Sequence, residues 1–427
     1  MKIGFVSLGC SKNLVDTEMM IGLFKKNNYT IVNDPEDAEI ILINTCGFIE
    51  TAKEEAINTI LEMAEYKKQN CKYLIVTGCL VERYKEELIK AIPEVDLFVK
   101  FSEYSEICNK IGEIIEIDNG KLEFLDRVIT TGKNFAYLRI AEGCNNFCTF
   151  CAIPYIRGRY TSRKIEDIIE EAKILAESGI KEIIVIAQDT TKYGIDIYGK
   201  PMLHTLLHKL SEIEGIEWIR FLYAYPETIT DELIKEVRDN NKICKYFDIP
   251  IQHISNNVLK KMNRKSTGET IKKLITKLRK EIPEVIIRST VMVGFPGETE
   301  KDFEELYNFI DWAKLDKLGC FTYSKEEGTA AYNMKEQIHP MTKKKRYNKI
   351  MKLQQEISKN NMKKHLGKTL KVLVEEQGIG RTYMDVPDID GVVYIKGKVN
   401  TNNFAECKIT GIKEYDLIGE IESKWEF

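Results

Sequence analysis

Near the amino terminus three apolar runs each end at a cysteine, and this restricts the fold more than any other feature. Phe5-Val6-Ser7-Leu8 leads to Gly9-Cys10, Ile40-Ile41-Leu42-Ile43 to Asn44-Thr45-Cys46, and Leu74-Ile75-Val76 to Thr77-Gly78-Cys79. Short, continuous apolar runs of this kind read as buried parallel strands. Helical patterns follow each one; Lys53 to Lys68 is the clearest, with Ile57, Ile60, Leu61 and Ala64 expected on one face. A βαβ series predicts an α/β domain with a doubly wound parallel sheet over residues 1–115. In such a sheet all strand ends share the carboxyl edge, with neighbouring strands about 4.8 Å apart. Three thiols there are within reach of one metal–sulfur group, and Gly9, Gly47 and Gly78 beside them let the backbone approach closely.

Residues 120–135 look like a linker with strand character. A second βα series then occupies the domain predicted over 130–360, with strands expected at 136–141, 182–187, 218–224, 246–251, 285–293 and 318–323. Six such units suggest a (β/α) barrel, complete or partial. A long polar helix at about 342–365 leads to a small all-β domain over 362–427, with strand patterns at Lys371-Val372-Leu373-Val374 and Val392-Val393-Tyr394-Ile395.

The chain has 427 residues and no apolar run long enough to span a membrane. Its first residues enter a strand pattern without the apolar segment of a signal peptide, so a cytoplasmic address is expected. The net charge of −3 makes the whole molecule no electrostatic trap for nucleic acid. Eleven cysteines, an odd number, with only five histidines, favour metal or redox work over disulfides or mixed Cys/His zinc sites. Cys71, Cys108, Cys244, Cys320 and Cys407 lie in no repeated topological position and are expected to be core residues.

Gly143-Cys144-Asn145-Asn146-Phe147-Cys148-Thr149-Phe150-Cys151 places three more thiols in one short loop after a strand. Thiolates suit iron–sulfur clusters or zinc. A closed zinc site wants a fourth ligand that is missing nearby. A cubane held by three cysteines leaves one iron open to an outside ligand.

Cys144, Cys148 and Cys151 at this spacing, with Phe150 before the last, resemble the signature of the radical S-adenosylmethionine superfamily. Two tri-cysteine sites and a β-rich tail are similar to the layout of the methylthiotransferases, over essentially the whole chain: an N-terminal cluster domain, a radical core and a TRAM domain. Ser7-Leu8-Gly9-Cys10-Ser11-Lys12-Asn13-Leu14-Val15-Asp16-Thr17-Glu18 looks like the family's opening motif. Ala187-Gln188-Asp189-Thr190-Thr191-Lys192-Tyr193-Gly194, Asp248-Ile249-Pro250-Ile251-Gln252-His253, Arg381-Thr382-Tyr383-Met384-Asp385 and Pro387-Asp388-Ile389-Asp390-Gly391 resemble the branch that modifies a ribosomal protein. Phe147 departs from it, standing where a basic residue is expected.

The resemblance implies two 4Fe-4S clusters and S-adenosylmethionine. Cys144, Cys148 and Cys151 would hold the radical-generating cluster; Cys10, Cys46 and Cys79 would hold the one that carries sulfur. The implied reaction adds a methylthio group to the β-carbon of an aspartate in ribosomal protein S-twelve, with an electron donor and a sulfur source as further partners. Phe150, Gln188, Asp189, Gly294 and Glu298, at or near strand ends, are candidates to bind the cofactor. From Leu373 to Phe427, six Lys/Arg stand against eleven Asp/Glu, a net of −5. That suits a basic protein partner better than RNA, whose contacts call for cations. The rival readings are a tRNA methylthiotransferase with the same chemistry and a non-catalytic iron–sulfur or zinc scaffold on the ribosome.

Overall fold

The computed structural model describes residues 1–117 and 120–421. Its first five strands, β1 (Lys2–Ser7), β2 (Thr30–Val32), β3 (Ile40–Thr45), β4 (Tyr73–Gly78) and β5 (Leu97–Lys100), form one sheet in the order β2-β1-β3-β4-β5. All its pairings are parallel. The three expected strands are β1, β3 and β4; the edges β2 and β5 are too short to show a pattern. Successive side chains serve opposite faces. Ile40 and Leu42 pack with Met20, Phe24 and Ile111, whereas Ile41 and Ile43 pack with Ile60, Leu80 and Leu88. Helices therefore cover both faces, as a doubly wound sheet requires.

Helix Glu50–Ala64 corrects one expectation. Ile60 and Ala64 are buried as expected, but Ile57 and Leu61 are 36% and 46% exposed, and Ala56 and Met63 are buried in their place. Ile57 and Leu61 each stand one residue beyond the buried stripe, about 100° further round the helix. The stretch 120–134 also differs: it is a loop, with no neighbouring strand to pair with. Arg127 pins it, meeting Glu18 at 3.2 Å and Glu171 at 3.0 Å.

The central region follows with β6 (Phe135–Arg139), the short antiparallel pair β7 (Ala141–Glu142) and β8 (Thr161–Ser162), then β9 (Glu182–Ile186), β10 (Trp218–Phe221), β11 (Tyr246–Gln252), β12 (Ile286–Val293) and β13 (Lys317–Thr322). Two parallel sheets, β6-β9-β10 and β11-β12-β13, meet where Ile219 bridges Ile243 and Ala224 N–H donates to Asp248 O at 2.8 Å. Among the described residues β6 and β13 do not pair, so the barrel is partial. Val15 and Met19 of helix Ser11–Lys26, and Met384 and Val386 of the tail, join Tyr137, Ile184 and Tyr246 in one buried cluster that fills its open interior. Helix Pro340–Lys363 leads to β14 (Thr369–Glu376), β15 (Ile379–Arg381), β16 (Val393–Lys396), β17 (Asn403–Ile412) and β18 (Leu417–Ile421), a closed barrel in the order β14-β15-β16-β18-β17. No helix of the described residues is long and apolar enough to cross a membrane.

The closed barrel docks through buried charge. Glu182, at the start of β9, meets Arg220 at 2.8 Å and Arg381 of β15 at 2.8 Å. Asp385 pairs with Lys317 at 2.6 Å, and Asp390 accepts from Tyr246 Oη at 2.6 Å. The tail's carboxylates are thus partly spent inside the molecule, and its outer face is less acidic than its sequence count.

Burial pushes the Glu182 carboxyl up, but the two guanidiniums outweigh it and hold it below its ordinary value. A carboxyl depressed on folding stabilises fully above the unfolded pKa, near 4.3, and loses that contribution as pH falls through the folded one. Glu182→Gln strips Arg220 of its carboxylate and leaves Arg381 only Glu375. It is expected to cost about 3 kcal/mol at pH 7. The gap to the parent should narrow as pH drops below about 4.3. Thermal unfolding at several pH values checks this; a gap independent of pH would contradict it.

Candidate active site

Cys10, Cys46 and Cys79 follow β1, β3 and β4, three neighbouring strands. The strand order reverses between β1 and β3, which is where a doubly wound sheet opens its crevice. Gly9 and Gly78 have φ of +93° and +101°. A Cβ on Gly9 would stand 2.7 Å from Cys46 Cβ, and one on Gly78 2.4 Å from Asn44 Oδ1. Both the left-handed backbone and the close approach require glycine. The fully buried Asn13 ties these turns together. Its Nδ2 donates to Leu8 O and Thr45 O, each at 3.0 Å, and its Oδ1 accepts from Cys79 Sγ at 3.6 Å. Burial pushes the Cys46 and Cys79 thiols up, Cys79 to about 12, and the Cys10 sulfur's charge adds to both. The three sulfurs are close enough to feel one another.

The second trio sits where β6 and β7 give way to a loop. Cys144 and Cys148 are buried and Cys151 is half-buried. Asn146 N–H donates to Cys144 Sγ at 3.5 Å, and Arg264 Nη1 lies 3.8 Å from Cys148 Sγ. Burial pushes the Cys151 thiol well up, and Cys148 and Cys144 add to it. Among the described residues no three His, Cys, Asp or Glu side chains converge tightly enough for a single metal ion. A cubane seats each cysteine on a different iron, so its ligands stand further apart than those of one ion. Both donor sets are soft sulfur with no closed single-ion geometry, which fits clusters better than a zinc site.

The two trios face each other. Cys79 packs with Ala152 and Ile156, in the peptide just after Cys151. Arg157 then crosses from one trio to the other. Its Nη2 lies 2.5 Å from Asn13 Oδ1, 3.7 Å from Cys79 Sγ and 2.8 Å from Asp16, while Nη1 meets Glu142 at 3.2 Å. Its guanidinium stacks 4.3 Å from the Phe101 ring. Arg139 completes the group, 2.5 Å from Asp16 and 3.0 Å from Glu142. On the far side Glu326, buried, takes Glu50 N–H at 3.0 Å, Lys53 at 3.2 Å and Arg83 at 3.5 Å. None of these charged residues was picked out by sequence reasoning, apart from Asp16 inside the opening motif.

The other expected residues divide. Asp189 is fully buried and clamps the cysteine loop: it accepts from Asn146 Nδ2 at 2.9 Å and Thr191 Oγ1 at 2.7 Å, and pairs with Lys192 at 3.7 Å. Gln188 Nε2 donates to Glu142 at 2.6 Å, while its Oε1 is buried without a partner among the described residues. Arg264 Nε is orphaned in the same way. Phe150 turns to an apolar cluster, its ring 6.5 Å from Phe295. Gly294 follows β12, with Lys343 packed against it. The Glu298 carboxylate turns back to Gly294 N–H, His253 at 3.6 Å and Arg346 at 3.3 Å. Among the described residues eight non-glycine residues have positive φ, and they include Phe147 in the cysteine loop, Asn263, which binds that loop, and Tyr223 and Gln252. Asn263 Nδ2 donates to Phe147 O at 2.9 Å, Tyr223 follows β10, and Gln252 ends β11 at a register shift.

Residues 138–310 match the Radical SAM superfamily, residues 2–100 the uncharacterized protein family UPF0004, and residues 366–421 the TRAM domain. The chain is 61% identical to the ribosomal protein uS12 methylthiotransferase RimO of Alkaliphilus oremlandii (strain OhILAs), over 99% of each chain. It is 52% identical to the protein of the same name from Acetivibrio thermocellus, over 98% of each. Among solved structures, the radical S-adenosylmethionine methyltransferase TsrM of Kitasatospora setae shares the fold at 13% identity and a TM-score of 0.57, over 75% of this chain and 74% of that one. The cobalamin-dependent radical enzyme OxsB does so at 13% and 0.53, over 84% and 56%. The chain belongs to the RimO family of methylthiotransferases and is a radical S-adenosylmethionine enzyme.

Proposed function

We propose that the chain adds a methylthio group to the β-carbon of an aspartate in ribosomal protein uS12, using two iron–sulfur clusters. In this reading Cys144, Cys148 and Cys151 hold the cluster that meets S-adenosylmethionine, and Cys10, Cys46 and Cys79 hold the one that carries sulfur. The supporting observation is the juxtaposition of the trios, with Cys79 packed against the peptide that follows Cys151. Hydrogen removal and sulfur delivery act on one carbon, so their sites must share an opening. When bound, the reduced cluster and S-adenosylmethionine supply the one-electron chemistry that an unactivated C–H bond needs.

The chain's own residues position and exclude water. Asp189 and Lys192 fix Asn146 and so the loop between Cys144 and Cys148. Arg264 holds Cys148 from outside the loop, stacked 4.2 Å from the Tyr225 ring. The orphaned Gln188 Oε1 and Arg264 Nε are polar groups available to the cofactor. Phe150, Gly294 and Glu298 shape the rim. The reading divides the work among residues 1–115, 130–360 and 362–427. It requires an electron donor and a sulfur source, and places the enzyme with ribosomes in the cytoplasm. The relatives' names favour a ribosomal protein over tRNA and a catalyst over a scaffold.

Anaerobic reconstitution is expected to give about eight irons in the parent and about four in Cys10→Ala or Cys144→Ala, from cubane stoichiometry. With uS12 and reductant, Cys10→Ala should still form 5′-deoxyadenosine but leave uS12 unmodified. Cys144→Ala should do neither. Four irons in the parent would sink the two-cluster reading.

Arg157→Met is expected to lower stability by about 3 kcal/mol, the low end for breaking a buried pair because Arg139 still faces both carboxylates. Arg157→Lys should recover part of it. Calorimetry of the apo-proteins reads this directly, and equal unfolding temperatures for parent and Arg157→Met would refute it.

A further inference from the structure

Helix Pro340–Lys363 carries eight Lys/Arg and a single Glu, a net of +7 in a chain whose total is −3. Its buried side carries Ile350, Gln354 and Ile357 against the core, together with Arg346, which pairs with Glu298 and Glu300. Lys345, Lys349, Lys352, Lys359 and Lys363 are all exposed. Their spacings of 4, 3, 7 and 4 put them on one stripe of a 3.6-residue helix. Among the described residues none of the five makes an ion pair; Lys349 lies 5.7 Å from the Phe303 ring and Lys363 reaches Asn360 Oδ1 at 3.5 Å. Some exposed lysines elsewhere do find carboxylates, as Lys72 does with Glu39 at 2.7 Å and Lys396 with Glu420 at 3.1 Å. Like charges one turn apart destabilise a helix. This helix keeps them unpaired along its whole outer face.

The stripe's position gives it meaning. At the helix's start Lys343 packs on Gly294 and donates to Tyr323 O at 2.7 Å, at the carboxyl ends of β12 and β13. Near its end Gln355 donates to Glu414 of the closed barrel at 2.7 Å. The stripe therefore runs from the rim of the active site to the tail domain, about 27 Å at 1.5 Å per residue.

We propose that this stripe docks on the phosphate backbone of ribosomal RNA, so that uS12 is engaged as part of the small subunit. The inference rests on the uS12 reading. A ribosomal protein in place is flanked by RNA, the polyanion that five unpaired lysines in a row complement. The tail is acidic in sequence; the cations lie on the helix before it.

The test compares the parent with a variant carrying Lys→Gln at all five positions. Three probes are used: small subunits from cells lacking the enzyme, protein-free ribosomal RNA, and free uS12. Affinity for subunits and RNA should fall at least tenfold at moderate salt. The log–log salt slope should flatten by about 3.5 to 4.5, at 0.7–0.9 per phosphate contact. Methylthiolation of free uS12 should stay within twofold, which also shows that the variant is folded and loaded. A matching Lys→Arg variant should bind as the parent does. Unchanged RNA affinity and slope overturn the proposal, and so does a loss confined to free uS12, which would make the stripe a protein contact. If the parent modifies neither subunits nor free uS12, the uS12 reading fails, and the RNA titration still decides what the stripe binds.

Discussion

Two guanidiniums and two carboxylates, Arg139 and Arg157 with Asp16 and Glu142, hold the two cysteine sites in register. Asp16 comes from the N-terminal domain and the other three from the segment around the second cysteine trio. Asp16 lies on the helix that begins after Cys10, Arg139 on β6, Glu142 just before Cys144, and Arg157 just after Cys151. Buried ion pairs are weak contributors to net stability, because desolvation offsets most of the attraction. Their value here is directional. An apolar patch would let the N-terminal domain slide on the barrel, whereas a guanidinium forked between Asp16 and Glu142 has one satisfied position. A reaction shared between two sites needs that position, since misplacement by even 1 Å can cost two orders of magnitude in rate.

The cysteines were legible because their geometry is local. A three-cysteine loop is complete within eight residues, and strand-end cysteines follow from period and topology together. The edges β2 and β5 were not, since a short strand carries too few residues to reveal a period. Ile57 and Leu61 misled because apolar residues on adjacent stripes of helix Glu50–Ala64 are indistinguishable until a partner selects one. Gln188, Asp189 and Glu298 could be placed at strand ends, but what they touch could not. Arg157 reaches Cys79 across 78 residues of sequence and Arg264 reaches Cys148 across 116, and no local signal marks either contact.

Charge was the least transparent quantity. The tail's net of −5 counts Asp385 and Asp390, yet both are used against Lys317 and Tyr246 at the barrel interface. The reverse holds for helix Pro340–Lys363, where Arg346 is buried in ion pairs but Lys345, Lys349, Lys352, Lys359 and Lys363 remain outside and make no ion pair among the described residues. A molecule of small net charge thus presents separated fields, and partner choice follows the exposed charge rather than the sum.

Backbone strain closes the argument about the site. Phe147, Tyr223, Gln252 and Asn263 adopt left-handed conformations with φ of 47°, 62°, 69° and 58°. Each costs about 1–2 kcal/mol for a side chain with a Cβ. Such residues persist only where the surroundings over-determine them. Here those surroundings are visible: Asn263 donates to Phe147 O, Lys12 Nζ sits 3.1 Å from the Tyr223 ring centroid, and Gln252 resumes the ladder opposite Val291 just past the register shift in β11. Lys12 belongs to the helix that follows Cys10, so docking of the N-terminal domain helps to stabilise the strained rim of the core. The mouth of the barrel is therefore shaped by the same contact that brings the second cysteine trio to it. Neither half of the site is finished without the other.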